Sequence, residues 1–504
     1  MKSDKIISNK GNGSILLDSI PTINSNELQT VYSSSVQNRI LSINNTFKNN
    51  FDCVPQFYVR SPGRVNLIGE HIDYSGYSVL PMAIERDTIM AISAIPSTNP
   101  TIELVNTVGK YSKAIFNHEE SVHVTIDSSI HEWTNYFKCG YKGVLDRLNP
   151  TTFYSMKIVV SGTVPTGSGL SSSSSLVCCS ALATLHAHRS AMTKGELSQT
   201  AIECERLVGV HGGGMDQSIS IMASNESALL IDFHPKLDAT PVILPKTTPE
   251  FVFIIANTLV TADKHVTAPI HYNLRVVECR LISLLLCVKL KLTLPKYPIT
   301  LKQVEQMYFD TYPSNLNQIE RLDKLNSLVQ LHINPEPYTM QQISNEIGID
   351  IQTINDLYIR GINIRAHSFQ LFKRAIHVYS EAQRVYEFQQ LCHQQPSTIL
   401  SQLGQLMNES HESCRDYFDC SCDELDELTQ LARSLGAYGS RLTGAGWGGC
   451  TVSLVSVDHA TTFISKLREQ YYAKHFPDQY LDDAFIESAL FATKPCIGAL
   501  IVDN

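Results

Sequence analysis

The chain has 504 residues, 43% of them hydrophobic, with 40 Lys and Arg against 49 Asp and Glu and a formal net charge of −9. That length and apolar content suit two or three domains with sizeable cores. The acidic balance, with no lysine- or arginine-rich run, leaves no footprint for nucleic acid or an anionic membrane.

Residues 1–25 are polar, rich in Ser, Asn and Lys, and read as a mobile tail without the apolar run of a secretory signal. Residues 26–237 mix helices with strands expected at Thr88–Ala94, Met156–Val160 and Ala228–Phe233. Residues 238–504 open on a strand at Phe251–Ala256 and continue into a long helical region broken at Pro295, Pro298 and Pro335–Pro337. Ile282–Val288 is apolar but bracketed by Arg280 and Lys289, far too short to span a bilayer, and reads as a core helix. Helical character over Arg365–Tyr379 and Gln383–Leu391 gives way to strands at Cys450–Val457 and Ala499–Val502. Alternating strands and helices suggest an α+β or α/β protein. Thirteen scattered cysteines argue against a disulfide framework. His411, Cys414, Cys420 and Cys422 have no standard zinc spacing, so the cysteines read as structural.

Four segments carry chemistry. Gly63-Arg64-Val65-Asn66-Leu67-Ile68-Gly69-Glu70-His71-Ile72-Asp73 sets a permanent cation beside close-set acceptors, which vicinal sugar hydroxyls need. A metal site or a surface turn with a salt bridge are its rivals. In the second, Pro165-Thr166-Gly167-Ser168-Gly169-Leu170 precedes Ser171–Ser175, where the expected strand turns into a helix. Glycines permit tight turns, and a helix start offers unpaired N–H groups to an anion. No Walker-A lysine is present, so a nucleotide site here is not a P-loop, and a serine-rich helix cap is the plain alternative.

In the third, Gly212-Gly213-Gly214-Met215-Asp216-Gln217 follows a helix expected over Ser198–Leu207. Asp216 can accept the proton of an attacking hydroxyl if Arg64 lies near enough to keep it ionised. Otherwise it caps the next helix, Gln217–Ala223. The fourth, Leu442-Thr443-Gly444-Ala445-Gly446-Trp447-Gly448-Gly449, reads as a glycine-rich lid or a turn before a strand.

In this order the four segments resemble the GHMP family of small-molecule kinases, and within it the galactokinases, from about Val59 to the C-terminus. Ile72–Met82, together with Ser413–Asp416 and Cys420–Cys422, is most similar to the N-acetylgalactosamine kinase branch. The resemblance implies two α+β domains, 26–237 and 238–504 (the latter with a helical insertion), and an active site in the cleft between them. It makes Arg64 and Asp216 the catalytic pair, and places both against the sugar with Glu70, His71, Asp73, Gly213 and Tyr272. Gly169, Ser171, Ser173 and Ser174 match the nucleotide loop, although many members have alanine where this chain has Ser174. Trp133, Asn135 and Tyr136 match a segment near the nucleotide, which Asp263 and Lys264 also touch. Ser173 and Glu205 match the magnesium partners.

The resemblance also implies a monomeric cytoplasmic enzyme with no nucleic-acid or membrane partner. Such an enzyme uses ATP and Mg2+ to phosphorylate the C1 hydroxyl of a small-molecule sugar: galactose, N-acetylgalactosamine or both. A mevalonate- or homoserine-type kinase is a rival, but those relatives lack the acceptor set of Gly63–Asp73. A non-catalytic sensor of sugar and ATP is another, and the intact Ser171–Ser175 and Asp216 speak against it.

Overall fold

A computed structural model describes residues 15–27, 34–119, 123–130, 132–209, 212–260 and 269–504. Its strands are β1 (Thr22–Asn24), β2 (Phe57–Asn66), β3 (Pro81–Ser97), β4 (Thr101–Asn106), β5 (Ala114–Asn117), β6 (Phe153–Gly162), β7 (Ser227–Asp232), β8 (Asp238–Ile243), β9 (Phe251–Asn257), β10 (Gly439–Thr443), β11 (Cys450–Ser456), β12 (Leu490–Thr493) and β13 (Leu500–Asp503). The larger sheet runs β1-β13-β2-β3-β6-β4-β5, the smaller β10-β11-β9-β12, and β7 pairs with β8 as a hairpin. The architecture is α+β.

Helices cover both faces of the larger sheet. On one face α1 (Ser34–Phe51) packs Ile40, Ile43 and Phe47 onto Tyr58, Ala91 and Val159. On the other lie α2 (Trp133–Leu148), α3 (Ser172–Ala187), α4 (Lys194–Glu205) and α5 (Met215–Met222). Every residue of β2 is buried, as a strand covered on both faces requires. Helix α3 is buried all round from Val177 to Leu185, with the Ser180 and Thr184 hydroxyls bonded to backbone carbonyls, and sits inside the core, which fixes the serines at its start. Burying one such side chain as Leu182 contributes roughly 1.5–3 kcal/mol.

The second half begins with α6 (Tyr272–Lys289) and three helices, α7 (Leu301–Thr311), α8 (Gln318–His332) and α9 (Met340–Ile347). Then follow α10 (Leu371–Gln394), α11 (Ile399–Asp416) and α12 (Asp423–Ser434). Capping boxes open α4, α7, α8 and α9: Thr193 with Glu196, Thr300 with Gln303, Asn317 with Glu320 and Thr339 with Gln342.

Several expectations shift. The tail predicted to residue 25 is built in from residue 15: β1 pairs in parallel with β13, which also pairs with β2. The last strand thus returns to the first sheet, and a division at residue 237 cuts the β7–β8 hairpin. Helix α10 starts at Leu371 rather than Arg365, because Phe369 exchanges backbone hydrogen bonds with Tyr338 and Gln370 N–H donates to Glu278 Oε1 at 2.7 Å. Asp216 is not a cap: Gly214 occupies that position and Asp216 stands inside the first turn of α5.

Candidate active site

The sugar segment forms the end of β2 and the turn after it. Arg64 there ties three parts of the chain together. Its backbone N–H donates to Leu170 O at 3.1 Å, its Nη1 to Gly169 O at 2.5 Å, and its Nε to Asp216 Oδ1 at 2.7 Å. Arg64 is buried while the Asp216 side chain keeps 22% of its surface, so the pair has a dry side and a side facing the cleft.

Asp73 lies across from them. Its Oδ1 accepts the Tyr74 N–H at 2.9 Å, and its carboxylate stands against Gly213. Burial pushes Asp73 up to about 6, with the Asp216 charge adding to it, while the Tyr74 and Met215 N–H groups and Arg64 pull the other way. Glu70 is pushed up to about 7 by burial, against the opposing charges of Arg441 and Arg64. Its Oε2 accepts from Arg441 Nη2 and from Gly444 N–H, each at 3.1 Å. The His71 Nε2–H donates to Ala445 O at 2.9 Å, which leaves Nδ1 to accept the Tyr74 hydroxyl at 3.0 Å. Tyr272, at the start of α6, places its ring centroid 5.6 Å from both His71 and Tyr74.

The serine loop and the glycine-rich segment meet backbone to backbone. Gly169 and Gly444 both take positive φ, 76° and 89°. A Cβ on Gly444 would fall 2.3 Å from Gly169 O, and one on Gly169 would fall 2.9 Å from Thr443 O. Ser171 (φ 62°) caps α3, so Ser173 and Ser174 stand in its first turn, where unpaired N–H groups and the dipole favour an anion. The Ser174 hydroxyl donates to Glu205 Oε1 at 3.0 Å, and Gln217 Nε2 donates to Glu205 Oε2 at 2.5 Å.

One cleft of about 770 Å³, counting space open to solvent, joins these groups. Arg64, Glu70, His71, Asp73, Gly213, Asp216 and Tyr272 line it together with Ser173, Ser174 and Glu205. Tyr136 reaches it, but Trp133 and Asn135 do not. Asn135 instead donates its amide to Asp127 O and Ile130 O, both at 2.9 Å, and Trp133 lies 5.8 Å from the Tyr111 ring. Asp263 and Lys264 fall outside the described residues. Arg206, also on the wall, was not singled out from sequence, although it directly follows Glu205. Nor was Arg441, which lies three residues before Gly444 and whose guanidinium is fully buried against Glu70.

The donors present suit a hard divalent cation: Ser173 and Glu205 offer a hydroxyl and a carboxylate beside a helix start with unpaired N–H groups. Mg2+ is usually held by one or two carboxylates plus phosphate oxygens and water.

Three family descriptions match the chain: the galactokinase galactose-binding signature over residues 45–94, the GHMP kinases N terminal domain over 135–224, and the GHMP kinases C terminal over 398–473. The galactokinase of Dictyostelium discoideum is 40% identical over 95% of this chain and 97% of its own length. That of Saccharomyces cerevisiae is 37% identical over 92% of this chain and 94% of its own. The crystal structure of Lactococcus lactis galactokinase complexed with galactose shares the fold, with a TM-score of 0.64 at 23% identity, over 92% of this chain and 99% of that one.

Proposed function

The chain belongs to the galactokinase family of GHMP kinases, and from that membership we propose that it transfers the γ-phosphoryl group of ATP to the C1 hydroxyl of galactose. The observation that carries the mechanism is the Arg64–Asp216 pair, 2.7 Å apart, which joins the sugar segment to the Gly212–Gln217 segment. An opposite charge at that distance favours the carboxylate form that a base must start from. Asp216 accepts the C1 hydroxyl proton as the oxygen attacks, and Arg64 steadies the charge that develops. Glu70 and Asp73 accept sugar hydroxyls, with Tyr272 and His71 walling the pocket. Phosphates rest on the start of α3, where Ser173 and Ser174 line the cleft in the first turn, beside unpaired N–H groups. Ser173 and Glu205 would hold Mg2+, which when bound neutralises phosphate charge. For the protein's own residues the task is positioning and electrostatics.

The Dictyostelium and Saccharomyces relatives carry the galactokinase name, which favours galactose over N-acetylgalactosamine. The cysteines among the described residues are free thiols, as in a reducing cytoplasm. Among the described residues no helix is long and apolar enough to cross a membrane.

The test is phosphorus NMR of the products formed from MgATP and galactose. A sugar 1-phosphate appearing with ADP in equal amounts is expected. ADP formed at the same rate without galactose, or no product at all, would sink the proposal.

A further inference from the structure

We propose that Glu381 and His377, on α10, are positioning residues for the sugar site: they hold the Gly69–Glu70 backbone and thereby set the Glu70 carboxylate and the His71 ring in the cleft. The inference rests on the galactokinase reading and assigns work to a helix segment that lies between the family matches at 45–94, 135–224 and 398–473.

The turn after β2 lacks regular backbone partners of its own where it enters the cleft. Leu67 and Ile68 still pair with Leu80, but the groups of Gly69 and Glu70 turn to side chains of α10. Glu381 Oε1 accepts Gly69 N–H at 2.8 Å and Glu70 N–H at 3.2 Å. His377 Nε2–H donates to Glu70 O at 3.0 Å, leaving its Nδ1 to accept the Ser413 hydroxyl at 2.9 Å. Glu381 and His377 are both fully buried, so no water competes for these bonds.

The anchor is itself anchored. Glu381 Oε2 accepts Arg384 Nε at 2.8 Å, and Oε1 also accepts the Ser410 hydroxyl at 2.6 Å. Burial alone would raise the Glu381 carboxyl, but Arg384, Arg441 and the other donors hold it down to about 2, so the acceptor stays charged. Arg441 closes the circuit, donating to Ser410 Oγ at 3.1 Å, to Asn66 O at 2.6 Å and to Glu70 Oε2 at 3.1 Å. Backbone and side chain of Glu70 are therefore fixed by one charged network from the second half of the chain. The serine loop gives it no hydrogen bond and meets it only through Gly444, which packs on Gly169, so disturbing Glu381 or His377 should be felt chiefly by the sugar rather than by ATP.

Steady-state kinetics on His377→Ala, His377→Gln and Glu381→Gln, beside wild-type protein, test this. Galactose KM is expected to rise about tenfold or more in His377→Ala, as misplaced contacts do, with ATP KM within twofold. His377→Gln, whose amide can still donate to Glu70 O, should recover much of the loss, and Glu381→Gln should behave like His377→Ala. If Glu381→Gln does not fold, the two His377 variants carry the result. Folded variants whose galactose KM stays within twofold of wild type overturn the inference. So does an equal rise in both KM values, which marks general loosening. A wild-type protein without galactose-dependent turnover overturns the kinase reading itself, and the inference falls with it.

Discussion

Gly213 stands so close to Asp73 that a Cβ at position 213 would fall 2.5 Å from the Asp73 carboxyl carbon and 2.6 Å from the Tyr74 nitrogen. Its φ is not among the positive ones, so the need for glycine here is one of space. Gly213→Ala should push the Asp73 carboxylate out of place. Galactose KM is expected to rise roughly tenfold or more while ATP KM holds, read by varying one substrate at a time.

Gly444→Ala faces two obstacles together: a φ of 89° and a carbonyl oxygen, that of Gly169, 2.3 Å from the new Cβ. A left-handed residue costs roughly 1–2 kcal/mol and overpacking about 1–3 kcal/mol. The denaturant midpoint should fall accordingly. ATP KM should rise as well, because the displaced partner is the serine loop. An unchanged midpoint would show that the two loops do not depend on each other.

Glu70 near 7 and Asp73 near 6 make sugar binding pH-dependent. Ionised carboxylates are the stronger acceptors for sugar hydroxyls, so galactose KM at saturating ATP should fall as pH rises from about 5.5 to 8 and level off above about 8. Stability runs the other way. Between the ordinary carboxylate range and the raised values the folded chain binds protons that the unfolded chain has released, so these two groups reduce stability as pH rises through that window. In Glu70→Gln the upper limb of the KM profile should disappear.

Glu205 takes donors from Ser174 and Gln217, and its carboxylate lines the cleft beside Ser173. Turnover should stop with EDTA and return with added Mg2+. In Glu205→Gln the Mg2+ concentration for half-maximal rate should rise about tenfold or more, the scale on which metal-site partners act. A Mg2+ dependence identical to wild type would remove Glu205 from the metal's surroundings.

The parts of the cleft that sequence could reveal are those where glycines crowd beside charged or hydroxyl residues over a few positions. Gly63–Asp73, Pro165–Ser175 and Gly212–Gln217 all meet in one cleft, and Leu442–Gly449 closes on the serine loop. The start of α4 was missed: the helix was expected from Ser198, but it begins at Lys194, four residues earlier, behind the capping-box pattern Thr193-Lys194-Gly195-Glu196. Asn135 was expected near the nucleotide, but its amide serves the 127–130 turn and it does not line the cleft. Glu381 leaves no local mark. An acid inside a helix usually faces solvent, and only the fold brings it to Gly69, 312 positions away in the chain. The terminal strand β13 was expected, but its partners β1 and β2, and hence the order of the larger sheet, were not.

The most direct test of the catalytic claim is galactose-dependent ADP release by Asp216→Asn beside wild type, with ATP binding measured on both by calorimetry. Asparagine keeps the size of the side chain and cannot take the C1 proton. The predicted result is a kcat lower by about a hundredfold or more, in the range attributed to general base catalysis, with ATP affinity within twofold. A folded Asp216→Asn protein that turns over galactose at near wild-type rate would contradict the role of the Arg64–Asp216 pair.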